Sequence, residues 1–278
     1  MVGNSVRVLD ATWLLPNSGR DPRAEFAARH IPGAMFFDIE KYSDKSSPMP
    51  HMLPPADQFT RDMRADLSLC STDHIVCYDT APQVFSAARC YWTFRIFGHA
   101  RVSLLDGGLA KWVREDRRVT GTPTDLPPAA DADFSAVLDE ARVRSHAQML
   151  ELAAAPAPSA QIIDARPAGR FNMTAPEPRS DIKSGRIPGS MNVPASLCSK
   201  PDGTLKSGRE LRALFEERGV DLARPMVSSC GSGVTACILM LAQQEAGAAD
   251  ANVALYDGSW SEYGRGPASS IDSTKRGD

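Results

Sequence analysis

The sequence predicts an α/β protein with two tandem domains, each a mainly parallel β-sheet flanked by helices. Short apolar runs typical of strands alternate with amphipathic runs typical of helices, and this alternation favours parallel sheets. Four segments of the first half also recur in the second half, in the same order and at nearly constant spacing. The period is far longer than that of a solenoid, so each repeat is predicted to be one domain. A length of 278 residues suits two domains.

When the repeated segments are aligned, Asp79 of the first half occupies the position that corresponds to Cys230 of the second. Two of the four matches begin at a strand that ends in an acidic residue or cysteine, and one is an Ile-Pro-Gly motif. The matched pairs are 6–10 with 161–165, 30–35 with 186–191, 74–79 with 225–230, and 106–112 with 257–263.

In the first half, the runs 6–10 and 74–79 are predicted strands, and the helical spacing of apolar residues over 85–97 predicts a helix. The proline-rich stretch 48–55 is predicted to be a long loop, because each proline fixes its own φ angle. Residues 1–120 therefore form one predicted domain, in which Asp79 stands at the position that corresponds to Cys230.

In the second half, residues 161–165 and 253–256 are predicted strands, and 147–152 is a predicted helix. The run 211–218 is a predicted amphipathic helix with Leu211, Leu214 and Phe215 on one face. Gly219 is predicted to end it.

The second half carries many more residues before its first repeated strand than the first half does. Either the first domain begins differently, or an N-terminal strand and helix are absent from this chain. Residues 141–278 form the second predicted domain, and 121–140, with Pro123, Pro127 and Pro128, are predicted to be a linker over the surface.

Composition excludes several classes of protein. The net charge of −3, without long basic blocks, argues against nucleic acid. No apolar run reaches the ~20 residues that span a bilayer, and residues 1–10 do not resemble a secretory signal. Six scattered cysteines without a CxxC or Cys/His cluster predict no metal, no disulfide framework and a reducing compartment. We expect a cytoplasmic monomer without a cofactor, with a processed organellar protein as the alternative.

The stretch 226–244 carries the clearest chemical signal. A short run ends at Cys230, Gly231-Ser232-Gly233 follows, and an apolar helical run comes next. Glycines allow loop amides to point inward, and the helix adds the positive end of its dipole, so the surroundings of this sulfur favour negative charge. We therefore predict a nucleophilic, sulfur-carrying cysteine. The alternative is a buried structural cysteine that begins a core helix.

From Cys230 to Ala236 the sequence resembles the active loop of the tandem-domain sulfurtransferases of the rhodanese superfamily, in particular those that use 3-mercaptopyruvate. Further segments that resemble this family are 30–34, 36–40, 47–54, 107–112, 163–166, 169–171, 176–179, 187–189 and 256–260. The resemblance implies that only the second domain, with Cys230, is catalytic, and that the first, with Asp79 at the cysteine position, is not. It also implies that Cys230 takes sulfur from 3-mercaptopyruvate as a persulfide, releases pyruvate, and passes the sulfur to thioredoxin, a small thiol or cyanide.

The same resemblance implies a proton relay of Ser232, His51 and an acid at Glu40, a position where some family members have Asp. Because His51 and Glu40 belong to the first half, a working relay would place the active site between the domains. The plainer interpretations are a turn residue for Ser232, an exposed loop histidine for His51 and a surface carboxylate for Glu40. Histidine is the one ready proton shuttle of the three near neutral pH.

Arg170 and Arg179 match the family's substrate-binding arginines, and a guanidinium fork suits the carboxylate of a 2-oxo acid. A surface salt bridge is the alternative for each, and Arg166 is predicted to be structural. The remaining predicted substrate-binding residues belong to the cysteine loop and are Gly231, Gly233, Val234 and Thr235.

Three other functions are alternatives to this one. A cysteine phosphatase needs an arginine about six residues after its cysteine, where this chain has Ala236. A non-catalytic binding protein would have lost the cysteine, which Cys230 contradicts. Thiosulfate is the alternative sulfur donor, but thiosulfate-using members of the superfamily carry basic side chains in this loop, where Gly231 and Ser232 are neutral.

Overall fold

The computed structural model describes residues 5–15, 18–83, 85–126 and 129–275. The chain divides into two compact units. The first comprises residues up to Ser46, Leu53–Asp139 and Pro201–Thr204, and the second comprises Ser47–Met52, Glu140–Lys200 and the chain from Leu205 onward. No helix within these described residues is long and apolar enough to cross a membrane.

The first unit is a four-stranded parallel sheet with helices on it, in the strand order β2-β1-β3-β4. Its strands are β1 (Val6–Asp10), β2 (Ala34–Phe36), β3 (His74–Tyr78) and β4 (Val102–Leu104). Its helices are α1 (Pro22–Ala28), α2 (Ala56–Leu67), α3 (Ser86–Ile96) and α4 (Gly108–Arg114).

The second unit is a five-stranded parallel sheet in the order β5-β9-β8-β6-β7. Its strands are β5 (Val143–Arg144), β6 (Gln161–Asp164), β7 (Met191–Asn192), β8 (Met226–Ser229) and β9 (Val253–Tyr256). Its helices are α5 (His146–Ala154), α6 (Ala168–Phe171), α7 (Gly208–Glu217), α8 (Ala236–Glu245) and α9 (Ser259–Tyr263). The predicted fold class is thereby confirmed.

The two sheets repeat one pattern of pairing. Strands β2-β1-β3-β4 correspond in order to β7-β6-β8-β9. The backbone at the ends of the strands repeats as well, since Leu109 N donates to Asp79 O and Trp260 N donates to Cys230 O, both over 3.0 Å. Strand β5 and helix α5 have no counterpart in the described part of the first unit, which accounts for the longer lead-in of the second half.

Local sequence signals explain where the helices of the second unit begin and end. Ser207 caps α7 through a capping box with Glu210, and Gly219 follows the helix in a left-handed conformation with φ of 76°. Helix α8 is apolar on all sides and is buried from Ala236 to Gln243, as expected for a helix that packs inside the domain. Its N-terminus is therefore held firmly at the end of β8.

The segment predicted as a surface linker differs in part from that expectation. Phe134, within 121–140, is fully buried in the first unit and packs edge-on against Phe59 and Phe94, with ring centroids 5.8 Å from each. Burial of such a large apolar ring stabilises the folded state, and this stabilisation would be lost if the segment ran over the surface. Pro127 and Pro128 lie outside the described residues.

Candidate active site

Cys230 follows strand β8, which lies between β9 and β6 in the sheet of the second unit. All four residues of β8 are buried, and the Cys230 side chain is 1% exposed. In open α/β sheets, ligands bind beyond the carboxyl ends of the strands. Cys230 therefore lies at the edge of the sheet where a binding site is expected.

The loop after Cys230 presents backbone donors without acceptors. The backbone N–H groups of four loop residues donate no hydrogen bond to any of the described residues. They belong to Gly231, Ser232, Val234 and Thr235. Gly233 has φ of 76°, a conformation that favours glycine, and it turns the chain into α8. Backbone N–H groups at the start of a helix form a ready site for an anion. The loop can therefore stabilise negative charge on whatever Cys230 carries.

The other side of the loop is fixed to the start of α9. Cys230 N donates to Ser259 Oγ over 3.1 Å, and Ser259 Oγ donates to Tyr256 O over 2.9 Å. Ser259 itself has φ of 49°, which is uncommon for a residue with a side chain. These bonds hold the backbone of Cys230 in one position at the end of β8.

Arg170, at the end of α6, lies against this loop. A β-carbon added to Gly231 would be 3.4 Å from both Nη1 and Nη2 of Arg170. The Arg170 side chain is 22% exposed, and its Nε and Nη2 donate to Glu177 Oε2 over 3.1 and 2.5 Å. The guanidinium is thus held by one carboxylate while its Nη atoms face the cysteine loop.

Glu177 is shared by two arginines. Its Oε1 accepts a hydrogen bond of 2.9 Å from Nη1 of Arg166, whose side chain has no exposed surface. Arg166 also pairs with Asp164 over 2.7 Å and lies over the ring of Trp260, 4.3 Å from its centroid. The structural placement predicted for Arg166 agrees with this burial. The part played by Glu177 was missed, because nothing in its local sequence shows which arginines it contacts.

Arg179 reaches the same loop through a serine. Its side chain lies on an exposed segment, and Nη1 donates to Ser261 Oγ over 3.0 Å. The Ser261 hydroxyl in turn donates to Gly231 O over 2.6 Å, and Ser261 N donates to the same oxygen over 2.8 Å. Ser261 was also missed by the sequence reasoning, although it lies in a repeated segment. Both predicted substrate arginines therefore converge on Gly231.

Ser232 and His51 are two of the three predicted proton carriers. The sequence assigned His51 to the first domain, residues 1–120, whereas the structure groups its segment with the second unit. Ser232 is half-buried, and its hydroxyl has no hydrogen-bond partner within the part of the chain that the structure describes. His51 belongs to the segment Ser47–Met52, which is part of the second unit. The side chain is 3% exposed, so the interpretation as an exposed loop histidine is wrong. Its φ of 62° is a left-handed conformation, which is often found at functional positions.

The segment that carries His51 is fixed by Arg265, whose Nη1 donates to Met49 Sδ over 3.3 Å. Arg265 is itself paired with Asp181 over 2.7 Å. Glu40, the predicted acid of the relay, lies in the first unit, is exposed, and accepts a hydrogen bond of 2.9 Å from Trp13 Nε1.

The first unit contains an equivalent loop, in which an aspartate replaces the cysteine. Asp79 occupies the position of Cys230, and its carboxylate accepts hydrogen bonds from the backbone N–H groups of Ala81, Phe85 and Ala87 over 3.2, 3.1 and 2.8 Å. Burial raises the pKa of Asp79 to about 6, although these hydrogen bonds oppose the rise. The amides of this loop thus bind its own side chain, and no nucleophile is present there.

Comparison with known proteins gives a consistent result. The family described as the rhodanese-like domain matches residues 4–115 and 145–265. The chain is 46% identical over 259 residues to the 3-mercaptopyruvate sulfurtransferase of Mus musculus, covering 93% of this chain and 84% of that protein. It is 43% identical over 263 residues to the thiosulfate sulfurtransferase of Gallus gallus, covering 94% of this chain and 87% of that protein.

Among solved structures, SseA from Escherichia coli, described as a 3-mercaptopyruvate sulfotransferase with the rhodanese fold, matches with a TM-score of 0.81 and 41% identity. The match covers 92% of this chain and 93% of that structure.

Proposed function

Since this chain belongs to the rhodanese family and is a sulfurtransferase of the 3-mercaptopyruvate/thiosulfate type, we propose that it moves the sulfur of 3-mercaptopyruvate through Cys230 to a thiol acceptor. Pyruvate is the other product. The donor, the acceptor and the persulfide are parts of this proposal.

In the first half-reaction, the Cys230 thiolate attacks the sulfur of 3-mercaptopyruvate. An S–S bond forms, the C–S bond breaks, and its electron pair passes to C3 of the substrate as the enolate of pyruvate. The proton of the substrate thiol then reaches that carbon. Ser232, His51 and Glu40 carry the proton in our proposal, because a hydroxyl and an imidazole can both accept and donate it.

In the second half-reaction, an acceptor thiolate attacks the outer sulfur of the Cys230 persulfide. The S–S bond breaks toward Cys230, which leaves as a thiolate, and the acceptor carries the persulfide away. The N–H groups of Gly231, Ser232, Val234 and Thr235, which have no acceptor within the described residues, suit the negative charge of the persulfide between the two steps. Thioredoxin or a small thiol is the proposed acceptor, and cyanide would serve as a laboratory acceptor.

The observation that carries the proposal is the convergence of Arg170 and Arg179 on Gly231. Arg170 lies against this residue, and Arg179 reaches its carbonyl through Ser261. A substrate carboxylate held by these guanidinium groups would bring an attached thiol toward the cysteine at the preceding position. Binding of this kind converts an encounter of two molecules into a reaction between positioned groups.

Thiosulfate is the second candidate donor, favoured by the 43% identity to a thiosulfate sulfurtransferase. Its two negative charges would also suit two arginines. We place it second because Gly231 and Ser232 add no positive charge to the loop itself.

The test compares pyruvate released from 3-mercaptopyruvate with thiocyanate formed from thiosulfate and cyanide, at equal enzyme concentration. We expect the higher kcat/KM with 3-mercaptopyruvate, and equal or better turnover of thiosulfate would reject this donor. Cys230→Ser should abolish both reactions. Sulfur transfer retained by this variant, or the absence of a persulfide on Cys230 of the wild-type protein by mass spectrometry after reaction with the donor, would reject the nucleophile.

The proposal also includes a monomer in a reducing compartment, the cytoplasm. All six cysteines are free thiols, which suits such a compartment. Sedimentation of the purified protein and fractionation of the source cells test the two points.

A further inference from the structure

The first unit holds a counterpart of the Arg170 arrangement. Nε and Nη2 of Arg20 donate to the two carboxylate oxygens of Glu25 over 2.7 and 2.6 Å. The same two nitrogens of Arg170 bind Glu177, both through its Oε2. Nη2 of Arg20 also donates to Thr80 Oγ1 over 3.2 Å. Thr80 follows Asp79 as Gly231 follows Cys230. Each unit therefore places a glutamate-bound arginine against the residue after its strand-end position.

Arg20 and Thr80 line a cavity of about 470 Å³ that is formed by residues of the first unit. This volume lies within the range of small-molecule sites. Arg29, which also lines the cavity, makes no side-chain hydrogen bond or ion pair within the described residues, and its charge acts on Glu25 from a longer distance. With two arginines and one glutamate, the lining carries an excess of one positive charge.

The apolar part of the lining comes mainly from α4, through Leu109, Ala110 and Val113. Asp79 does not line the cavity, because its carboxylate is turned into the amides of its own loop. The lining thus combines cationic donors and a hydroxyl with short aliphatic side chains. A ligand that matches both kinds of group has an anionic head and a small apolar body.

We propose that this cavity is a second, non-catalytic site for a small carboxylate, of the 2-oxo acid type. Arg20, Arg29 and Thr80 would bind the carboxylate, and the α4 side chains would contact the carbon chain. The role given to Arg20 follows the carboxylate-binding role proposed above for Arg170, so the inference rests on the proposed function. The cavity differs from the catalytic site because its loop carries no nucleophile.

The test uses full-length protein with Cys230→Ser and Arg170→Ala, which removes turnover and weakens binding in the second unit. Pyruvate is the probe, and the readout is the amide NMR shifts of Thr80, Ala110 and Val113 during a titration. We expect saturable shifts at these amides in the millimolar range. Arg29→Ala should weaken the binding at least about tenfold, because a charge-assisted hydrogen bond is lost. Arg61→Ala, which removes an exposed arginine of α2 that pairs with Asp57, is the matched control and should change nothing.

Ala110→Phe tests the same site without a change of charge. It should fill the apolar half of the cavity and abolish the shifts. Sulfate, which has no carbon chain, should bind more weakly than pyruvate, and equal or tighter binding of sulfate would overturn the carboxylate assignment. Absence of shifts at the first-unit amides, or shifts that survive both Arg29→Ala and Ala110→Phe, would overturn the site. Failure of the proposed function would appear instead as sulfur transfer by Cys230→Ser, so the two inferences can fail separately.

Discussion

The guanidinium of Arg170 lies so close to Gly231 that an added β-carbon would be 3.4 Å from both of its Nη atoms. This distance is an ordinary contact at the short end of its range, so a methyl group can be accommodated while a longer side chain must displace the arginine. Gly231 does not have a positive φ, and the backbone itself therefore tolerates a side chain.

Substitution at Gly231 should separate these two cases. Gly231→Ala should fold normally and keep most of its activity. Gly231→Leu should raise KM for 3-mercaptopyruvate about tenfold or more, because the carboxylate loses a positioned guanidinium. Steady-state kinetics and thermal unfolding of both variants check this. A Leu variant with unchanged KM would mean that Arg170 does not bind the donor.

Glu177 should act on Arg170 and on the stability of the fold together. Glu177→Gln keeps the size of the side chain but removes the charge that the buried Arg166 and Arg170 share. Arg166 keeps its pair with Asp164, so we expect a loss of about 1–3 kcal/mol in the free energy of unfolding. KM should rise with little change in kcat. Denaturant titration and kinetics measure the two effects, with Glu216→Gln, an exposed carboxylate of α7, as control.

The relay hypothesis is tested by His51→Asn, since asparagine tolerates the left-handed conformation of this position and cannot exchange a proton near neutral pH. Turnover of 3-mercaptopyruvate should fall about a hundredfold. Ser232→Ala should have a similar effect, and the double variant should be no slower than the single ones because they interrupt one path. Glu40→Gln should cause a smaller loss. Unchanged rates in His51→Asn would remove His51 and Glu40 from the mechanism.

Asp79 should give the free energy of unfolding a distinct pH dependence. Burial raises its pKa from 3.8 to about 6 in the folded protein, so between these values the folded state binds more protons than the unfolded state. This group therefore makes the protein less stable as pH rises from about 4 to about 6. The difference amounts to about 3 kcal/mol at neutral pH, from about two units of pKa.

Asp79→Asn should remove this contribution. The difference in unfolding free energy between wild type and variant should change across this pH range and become constant above it, as measured by denaturant titrations at several pH values. Asp125→Asn, an exposed carboxylate of the same unit, should show no such change. Parallel pH profiles for wild type and Asp79→Asn would contradict the assignment.

Much of the fold and part of the site follow from local sequence signals. Ser207 and Gly219 bound helix α7 because a capping hydroxyl and a left-handed glycine act within one turn. The duplication predicted equivalent strands, and the matching sheet orders confirm the fold class. Cys230 and its loop were identified because the cysteine, the glycines and the apolar helix are adjacent in the chain.

The partners of the site residues could not be predicted in this way. Arg179 and Ser261 are 82 residues apart in sequence. Glu177, which binds both Arg166 and Arg170, has no local sequence pattern that distinguishes it from a surface carboxylate. Phe134 was assigned to a linker because prolines and small residues surround it, yet its ring is buried.

The sequence by itself determined the two-domain α/β architecture, the duplicated halves, and a cysteine with glycines at the start of a helix. These features depend on backbone preferences and on the spacing of hydrophobic residues, and both are visible within short stretches of sequence. Only the tertiary structure decided that Arg170 and Arg179 meet at Gly231, that Glu177 binds two arginines, and that Asp79 occupies its own loop. Hydrogen bonds and ion pairs between distant residues depend on positions in space, and those are set by how the strands and helices pack.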